Sequence, residues 1–578
     1  MRVLLLHPED NFPPSWPTGQ LDLIVDFGRA PSSTYQRWAS RAGCRVTSIF
    51  DLAQEVEDIH LTRELFRLGG GRLVDRAGID WWDVLSPLLL PDFGQALLLR
   101  RLAKQLEPGC HLYASRPDPR AMALQSLLGA ELSCRSGGAG RQLRHFWQAL
   151  SRLNFTQVAQ ICQDKFDPQH SIRRRVAPRK PASKQPVVLL PSAYINVSRT
   201  ATSYAALLPD QQFLLVLARR EARLKNLPPN VSVASLDSYY GEREPGDTEE
   251  LLTAWQDLQA HLASQAPEFA LAQEAALLAR MPTLIRWGLA ARDAWGNVFT
   301  SENISACFSA DDANPYTSLP LILARSRQLP TLACHHGAMD YRMGIKALQA
   351  DFYMAKGELE RDYLVRQCRV SPEKILVGCP QPAPRQSVAL PPAEERPWLV
   401  FFTEPYAGDG WRLEEVYQDL LPALLSVAQA CGLRLVFKLH PFESVEGHRR
   451  LLRRFLSPDQ LSQIEILAGP LLPELWQNTR FAVTAQSTVA MEAAALRVPA
   501  FLCAWLRSPW GGYVQQYARF GIGRILKSAD GLSEIPSLLK DNAAALTADP
   551  SKIWHPIDPA ELRSLLVEVC PLPAANAS

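Results

Sequence analysis

The chain has 578 residues, of which 47% are apolar and 21% are charged, and this composition excludes a wholly disordered chain, a fibre and a disulfide-rich miniprotein. Its 61 lysines and arginines almost balance 59 aspartates and glutamates, so the net charge of +2 offers no general attraction for nucleic acid. The 11 cysteines show no CxxC spacing, which indicates reduced thiols in a cytoplasmic protein rather than a zinc or redox site.

The N-terminus begins with a short apolar run at residues 3–6, which predicts a buried strand because His7, Pro8 and two acidic residues follow at once. The most apolar stretch, residues 81–99, is interrupted by Pro87 and Pro91, whereas a bilayer span needs about 20 mostly apolar residues. We therefore expect a soluble cytoplasmic protein, with peripheral contact at the inner face of the membrane as an open alternative.

Two proline-rich and charged stretches, residues 171–186 and 381–397, are typical of linkers. They divide the chain into an N-terminal α/β region, to which we assign no role, and two further α/β domains. The predicted bounds of the three parts are 1–170, 187–380 and 398–570.

Short apolar runs alternate with helical patterns in all three parts. The predicted strands are 3–6, 23–25, 45–49, 187–190, 213–217, 306–309, 331–334, 352–354, 398–403, 433–439, 481–484 and 500–503. The predicted helices are 34–42, 200–208, 248–287, 318–328, 413–430 and 488–495. Such alternation predicts parallel, doubly wound sheets, in which ligands bind at the carboxyl ends of the strands.

Two histidines follow the strand predicted at 331–334. His335, His336 and Gly337 come first, and Asp340 lies three residues further on. A neutral imidazole can take a proton near pH 7, so this loop is typical of a catalytic or acceptor-binding site. A metal site would need a third ligand at suitable spacing, and since none stands out we predict no metal.

An acidic pair, Asp311 and Asp312, leaves the strand predicted at 306–309. We predict that one of these carboxylates acts as the catalytic base, orients a histidine or binds acceptor hydroxyls. A capping loop for the following helix is the alternative, because Asp and Asn are common at helix starts.

A cation and an imidazole end the strand predicted at 433–439, where the sequence has Lys438, His440 and Pro441. Charge-assisted hydrogen bonds to phosphate are strong, and the proline restricts His440 to extended conformations, so the motif predicts a phosphate site. A packed histidine beside a solvated lysine is the alternative.

Hydroxyl groups follow the strand predicted at 481–484, where Gln486, Ser487 and Thr488 lead into a helix. Hydroxyls beside the free N–H groups of a helix start predict a phosphate site, with an ordinary N-cap as the alternative. Glu492, one turn later, is a candidate for ribose contact. Glu404 ends the strand predicted at 398–403, beside a Gly-Asp-Gly loop that either folds over a donor or is a plain connection.

A basic run lies in the first linker. It is either a solvated segment or a surface that attracts anionic lipid head groups, which contribute about 1 kcal/mol per cation near a membrane. The residues concerned are Arg173, Arg174, Arg175, Arg179 and Lys180.

A His-Gly loop, a Lys-x-His-Pro motif and a Ser-Thr pair at a helix start occur in this order within residues 187–530. This order resembles a branch of the GT-B glycosyltransferase superfamily that includes CDP-glycerol glycerophosphotransferases, bacterial polysialyltransferases and the capsule Kdo transferases. The resemblance implies an α/β fold with two facing Rossmann-like domains with parallel sheets. It also implies a nucleotide-sugar donor as substrate, CMP-linked or another NDP-sugar, with no tightly bound cofactor and no metal.

The resemblance further implies that His440, Ser487 and Thr488 contact the donor phosphate and that His336 lies near the acceptor as a base. Gln486 and Ala338 depart from the glycerophosphotransferase pattern, which favours sugar transfer. We therefore predict an inverting, metal-independent glycosyltransferase that acts on a cell-surface glycan or glycolipid, as in capsule or lipopolysaccharide biosynthesis. A nucleotide-sugar epimerase, a glycerophosphotransferase and a non-catalytic glycan-binding protein of the same fold are the alternatives.

Overall fold

The computed structural model describes residues 1–12, 17, 19–134, 185–219, 222–241, 246–337, 339, 341–380, 389–406, 410–441, 443–507, 512–542 and 549–568. In this part of the chain the strands form three sheets, and every pair of neighbouring strands is parallel. Each sheet lies within one of the three predicted parts. The predicted α/β class with Rossmann-like parallel sheets is thereby confirmed. Most of the first predicted linker lies outside the described residues, as do residues 381–388 of the second.

The N-terminal sheet has the strand order β3-β2-β1-β4-β5. Alternate residues of β1 enter two separate cores, Val3 and Leu5 in one and Leu4 and Leu6 in the other, because helices cover both faces. Its strands are β1 (Arg2–Leu6), β2 (Leu23–Asp26), β3 (Arg45–Ser48), β4 (His111–Ala114) and β5 (Glu131–Cys134). Its helices are α1 (Ser32–Ala42), α2 (Glu55–Gly69), α3 (Trp81–Leu85), α4 (Leu90–Gln105) and α5 (Pro119–Leu128).

The middle sheet has the strand order β12-β11-β10-β9-β6-β7-β8. Its strands are β6 (Val187–Ser192), β7 (Phe213–Leu217), β8 (Val231–Ser235), β9 (Ile304–Ser309), β10 (Thr331–Ala333), β11 (Phe352–Ala355) and β12 (Ile375–Val377). Its helices are α6 (Ile195–Ala205), α7 (Gly246–Gln265), α8 (Pro267–Glu274), α9 (Met281–Ser301), α10 (Pro315–Ser326) and α11 (Glu358–Arg366).

The last sheet has the strand order β15-β14-β13-β16-β17-β18. Its strands are β13 (Trp398–Phe402), β14 (Arg434–Lys438), β15 (Glu465–Leu467), β16 (Thr479–Thr484), β17 (Ala500–Cys503) and β18 (Arg524–Leu526). Its helices are α12 (Leu413–Ala430), α13 (Val445–Leu452), α14 (Pro458–Ser462), α15 (Pro473–Asn478), α16 (Val489–Ala495) and α17 (Ile535–Asn542), and two short helices follow, α18 (Pro550–Ile553) and α19 (Pro559–Arg563).

The long helical pattern predicted at 248–287 is divided among three helices. Pro267 occupies the first turn of α8, and α9 likewise has a proline in its first turn. Proline fits a first turn, where its missing N–H is not needed, but it interrupts a helix interior. Among the described residues, no helix is both long enough and apolar enough to cross a bilayer.

Contacts between the predicted parts are extensive. Trp82 of the N-terminal region stacks on Trp255 of α7, with ring centroids 6.2 Å apart. The indole of Trp81 fills the space beside Gly288 of α9, where a Cβ atom would overlap it. Near the other end of the chain, the N–H group of Cys379 donates to the carbonyl of His555 at 2.8 Å, and Ile557, Leu562 and Leu566 pack on the middle sheet. The short helix α18 contacts both α11 of the middle part and α16 of the last part.

Candidate functional site

The predicted acidic and histidine loops come together at the carboxyl edge of the middle sheet. Asp311 follows β9, and His335 and His336 follow its neighbour β10, so parallel strand ends bring them side by side. One ligand atom from each of the three side chains lies within 4.8 Å of the others. Nε2 of His335 is 3.8 Å from Oδ1 of Asp311, and the two imidazole centroids are 4.9 Å apart.

Short hydrogen bonds fix the shape of this edge. Oδ1 of Asp311 accepts the N–H of Ala313 at 3.0 Å, which aims its carboxylate back over its own loop. The buried Lys356 ammonium donates to the carbonyl of His335 at 2.5 Å and to Oε1 of Glu360 at 2.7 Å. The Lys356–Glu360 pair therefore holds the main chain of the histidine loop in place. Sequence analysis missed both residues, which lie more than 20 positions beyond His335.

His336 is a neutral imidazole at physiological pH. Burial, helped by the neighbouring His335, lowers its pKa from 6.5 to about 4. No hydrogen-bond partner for its Nδ1 occurs among the residues that the structure describes. The ring lies 6.5 Å from that of Tyr194, centroid to centroid, and the Tyr194 hydroxyl accepts from Nδ2 of Asn314 at 2.5 Å. A neutral imidazole keeps one unprotonated ring nitrogen, which is the kind of atom that accepts a proton from a hydroxyl.

Asp312 lies in a different environment from Asp311. Nζ of Lys346 is 2.6 Å from its Oδ2, and the Tyr353 hydroxyl donates to the same oxygen at 2.9 Å. The carboxylate is fully buried, and the Asp312 charge adds to burial in raising the pKa of Tyr353. These contacts are typical of a structural ion pair, and they argue against the prediction that Asp312 takes the acceptor proton.

Some predicted residues lie outside the described part of the chain. Asp340 is one of them, and the basic run predicted to contact a membrane is another; its residues are Arg173, Arg174, Arg175, Arg179 and Lys180. Their roles stay predictions. Gly337 is described, and its N–H donates to Nδ1 of His335 at 3.3 Å.

A second cluster lies at the carboxyl edge of the last sheet, where β13 and β14 end. The N–H of His440 donates to Oγ1 of Thr403 at 3.0 Å and to Oε2 of Glu443 at 3.1 Å, and the Thr403 hydroxyl donates to the same Glu443 carboxylate. Burial and the charge of Lys438 lower the pKa of His440. Thr403 and Glu443 therefore position the His440 backbone, a role that sequence analysis did not assign to them.

The Lys438 ammonium donates hydrogen bonds to main-chain carbonyls, one of which lies just after β15. It donates to the carbonyl of Gly469 at 2.6 Å, and burial lowers its pKa. Its charge therefore influences the site mainly through His440. Pro441, the next residue in the sequence, is exposed.

The Glu404 carboxylate shapes the loop that follows β16. Its Oε1 accepts the N–H of Gln486 at 2.7 Å and the Thr484 hydroxyl at 3.3 Å. Oγ of Ser487 accepts the N–H of Val489 at 3.3 Å, and the helix α16 starts after Thr488. Glu404 thus holds in place the loop of Gln486, Ser487 and Thr488, which is predicted to contact the donor. Glu492 lies half-buried one turn into the helix.

Each cluster lies on the strand pair next to the point where the strand order of its sheet reverses, the first on β9 and β10 and the second on β13 and β14. In the middle sheet the reversal falls between β6 and β9, and in the last sheet it falls between β13 and β16. The Tyr194–Asn314 hydrogen bond spans the first of these points, and the Glu404–Gln486 hydrogen bond spans the second. Ligands of open α/β sheets bind at such reversals, outside the carboxyl ends of the strands.

No family model matches this sequence, and no curated protein matches it. Solved structures show similarities of fold. The UDP-GlcNAc 2-epimerase from Neisseria meningitidis, bound to UDP-GlcNAc, is 11% identical, with a TM-score of 0.39 over 66% of this chain and 97% of the other. The calicheamicin glycosyltransferase CalG4 is 12% identical, with a TM-score of 0.40 over 67% of this chain and 100% of the other.

The wall teichoic acid polymerase TagF is 12% identical, with a TM-score of 0.36 over 72% of this chain and 92% of the other. At such scores these similarities carry no further conclusion. The α/β class of the chain therefore rests on its three parallel sheets, and its function rests on the chemistry of the two sheet edges.

Proposed function

We propose that the chain is a GT-B glycosyltransferase that moves a sugar from a nucleotide-sugar donor to a hydroxyl of a glycan or glycolipid. The observation that carries this proposal is the presence of two polar clusters, each at the carboxyl edge of its own parallel sheet and next to the strand-order reversal. One cluster suits a phosphate ligand, and the other suits proton removal from an alcohol. A transferase with two substrates needs both.

On the donor side, His440, Ser487 and Thr488 are the proposed phosphate contacts. Because burial lowers the pKa of His440, its ring is neutral in the empty site and donates one N–H group to a phosphate oxygen. Hydroxyl and N–H groups after β16 supply further donors. Such preorganised donors stabilise the negative charge that develops on the departing nucleotide. We retain a cytidine nucleotide as the proposed donor group, on the resemblance alone.

On the acceptor side, Asp311 and His336 are the proposed candidates for the base. The sugar leaves the nucleotide phosphate as the acceptor oxygen attacks its anomeric carbon, and the acceptor proton passes to one of these side chains. His336 offers an unprotonated nitrogen, whereas Asp311 offers a carboxylate supported by the N–H of Ala313. The step is proposed as a single inverting displacement without metal.

Nucleotide binding tests the donor half of the proposal. Thermal unfolding is measured with CMP, CDP, UDP and GDP, and a nucleotide at about 100 Kd stabilises the protein by about 2.7 kcal/mol. A shift with CMP or CDP supports a cytidine donor, and a shift with UDP or GDP alone refutes that part. If none of the four at millimolar concentration shifts the transition, the transferase proposal is wrong.

Two variants then test the residues. His440→Ala removes the proposed phosphate donor, and we expect it to lose the nucleotide shift and about a hundredfold in turnover. His261→Ala is the matched control, because His261 is a half-exposed histidine within α7, a helix outside both sheet edges. Sugar-nucleotide conversion without any acceptor would instead support an epimerase.

A further inference from the structure

An arginine and two tyrosines lie together at the carboxyl edge of the middle sheet, across the reversal of its strand order. Tyr194 follows β6, Arg219 follows β7, and Tyr316 lies in the first turn of α10, after β9. The guanidinium carbon of Arg219 is 5.6 Å from the ring centroid of Tyr194 and 5.5 Å from that of Tyr316. All three residues are half-buried, so the group, called the Arg219 cluster below, is open to a ligand on one side.

Hydrogen bonds hold both tyrosine rings in place. The Tyr316 hydroxyl accepts from Nε1 of Trp287 at 2.6 Å, and the Tyr194 hydroxyl accepts from Nδ2 of Asn314 at 2.5 Å. The rings of Trp287 and Tyr316 also meet edge to face, with their centroids 4.5 Å apart. Aromatic faces attract a cation that lies over them, so the two fixed rings restrict the position of the Arg219 guanidinium.

The Arg219 guanidinium keeps its hydrogen-bond donors available. In the ranges that the structure describes, it forms no ion pair, and no oxygen accepts a hydrogen bond from it. Its five N–H groups form a fixed fork that matches the oxygens of a carboxylate or a phosphate. The buried cations of the same edge are already paired. Lys346 forms an ion pair with Asp312 at 2.6 Å, and Lys356 forms one with Glu360 at 2.7 Å.

The Arg219 cluster adjoins the proposed acceptor site. The Tyr194 ring faces Arg219, and it lies 6.5 Å from the ring of His336, centroid to centroid. Tyr194 therefore separates the cation from the imidazole by the width of one side chain. A sugar whose hydroxyl lies beside His336 has Arg219 within reach of the other groups that it carries.

We propose that the Arg219 cluster binds an anionic group, a carboxylate or a phosphate, that the sugar acceptor carries. Charge-assisted hydrogen bonds from the guanidinium fork would hold the anion, and such bonds are stronger than those to a neutral group. The cluster would thereby favour acidic acceptors over neutral ones. The inference rests on the proposed function, because it names the class of acceptor at the same sheet edge.

Calorimetry on the full chain tests the proposal with two anionic probes, trigalacturonate for a carboxylate and glucose 6-phosphate for a phosphate. Their neutral counterparts are the methyl ester of trigalacturonate and glucose. We expect saturable binding of at least one anionic probe, about tenfold or more tighter than that of its neutral counterpart. The probe that binds identifies the source of the anionic group. Absence of saturable binding for both anionic probes overturns the proposal, and so does equal binding of the neutral counterparts.

Variants test the location. Arg219→Gln removes the charge and keeps a polar side chain, and we expect it to weaken probe binding by about tenfold or more. Arg219→Lys retains the charge without the fork and should recover part of the loss. Arg41→Gln is the matched control, because Arg41 is exposed in the last turn of α1, and it should bind the probe as the parent does. Unchanged binding in Arg219→Gln overturns the proposal.

The nucleotide shift separates this proposal from the proposed function. If a nucleotide stabilises the parent but probe binding does not depend on Arg219, the transferase proposal stands and the acidic acceptor is wrong. If no nucleotide shifts the transition while probe binding depends on Arg219, the transferase proposal is wrong and the anion site stands. Loss of glucose 6-phosphate binding in His440→Ala but not in Arg219→Gln would place that probe in the donor cluster, which overturns the role of Arg219 as a phosphate contact.

Discussion

Arg412 is the side chain whose removal should disturb the docking of the N-terminal region most. It precedes α12 in the last part of the chain, and it inserts into the carboxyl edge of the N-terminal sheet. Its Nε and one terminal nitrogen contact both carboxylate oxygens of Asp26, at 2.8 and 2.7 Å. Its remaining N–H groups donate to the carbonyls of His7 and Asp10. Asp26 is fully buried, and only 8% of the Arg412 side chain is exposed.

The magnitude follows from this burial. Replacing Arg412 with alanine leaves the Asp26 charge inside the protein with two hydrogen bonds from the described part of the chain, from the N–H of Gly28 at 2.8 Å and the hydroxyl of Tyr35 at 3.0 Å. Removing one partner of a buried ion pair costs about 3–5 kcal/mol. Arg412 belongs to the last part of the chain and Asp26 to the N-terminal region, so the lost free energy should weaken the contact between these two parts. Local opening of the N-terminal sheet should then become more frequent by about a hundredfold to several thousandfold.

Amide hydrogen exchange of β1, β2 and α1 measures that opening in Arg412→Ala. The double variant Arg412→Met with Asp26→Asn removes both charges together and should recover much of the lost protection, since an apolar replacement of a buried pair is often tolerated. Arg454→Ala is the control, because its partner Glu414 is half-exposed and such pairs contribute about 0–1 kcal/mol. Exchange in Arg412→Ala no faster than in that control would refute the reasoning.

Two further stability predictions use single positions. Gly288→Ala on α9 places a methyl group against the Trp81 indole and should cost about 1–3 kcal/mol in urea unfolding, whereas Gly296→Ala on the same helix meets open space and should be stabilising by about 0.5–1 kcal/mol. Burial lowers the pKa of His448 from 6.5 to about 4, so the unfolded chain binds the proton more tightly and stability falls as pH drops from 6.5 towards 4. His448→Leu should remove about 2 kcal/mol of the stability difference between pH 7 and pH 5, and an unchanged difference would contradict the assignment.

Most central strands could be predicted from sequence because burial on both faces leaves a plain signal, whereas β4, which lies between β1 and β5 and has only half of its residues buried, was not predicted. β6, β7 and β13 are continuous apolar runs, since helices cover each sheet on two sides. β8, at a sheet edge, is short, has two exposed residues in a row at its centre and was not predicted. The same holds for β12, whose three residues are all half-buried. Weak patterns at sheet edges are the physical reason for these omissions.

The neighbourhood of Asp311, His335 and His336 could also be anticipated, because parallel strands end at one edge and bring consecutive loops together. The partner of Asp312 could not be anticipated from the sequence. Lys346 lies 34 positions away in a segment without regular pattern, and only the folded chain shows that it neutralises this carboxylate. Sequence treats the two neighbouring aspartates alike, whereas the structure gives one of them a buried cation and leaves the other beside the histidines.

The three sheets share one topology but use their carboxyl edges differently. In the middle and last sheets, polar side chains gather next to the reversal of strand order. In the N-terminal sheet, the ends of β1 and β2 receive Arg412, and the chain nearby pairs with it, because the N–H of Arg29 donates to the carbonyl of Gly410 at 2.9 Å. Gly410 closes the Gly-Asp-Gly loop that follows Glu404. The docking of the N-terminal region therefore holds Gly410, at one end of that loop, against the N-terminal sheet.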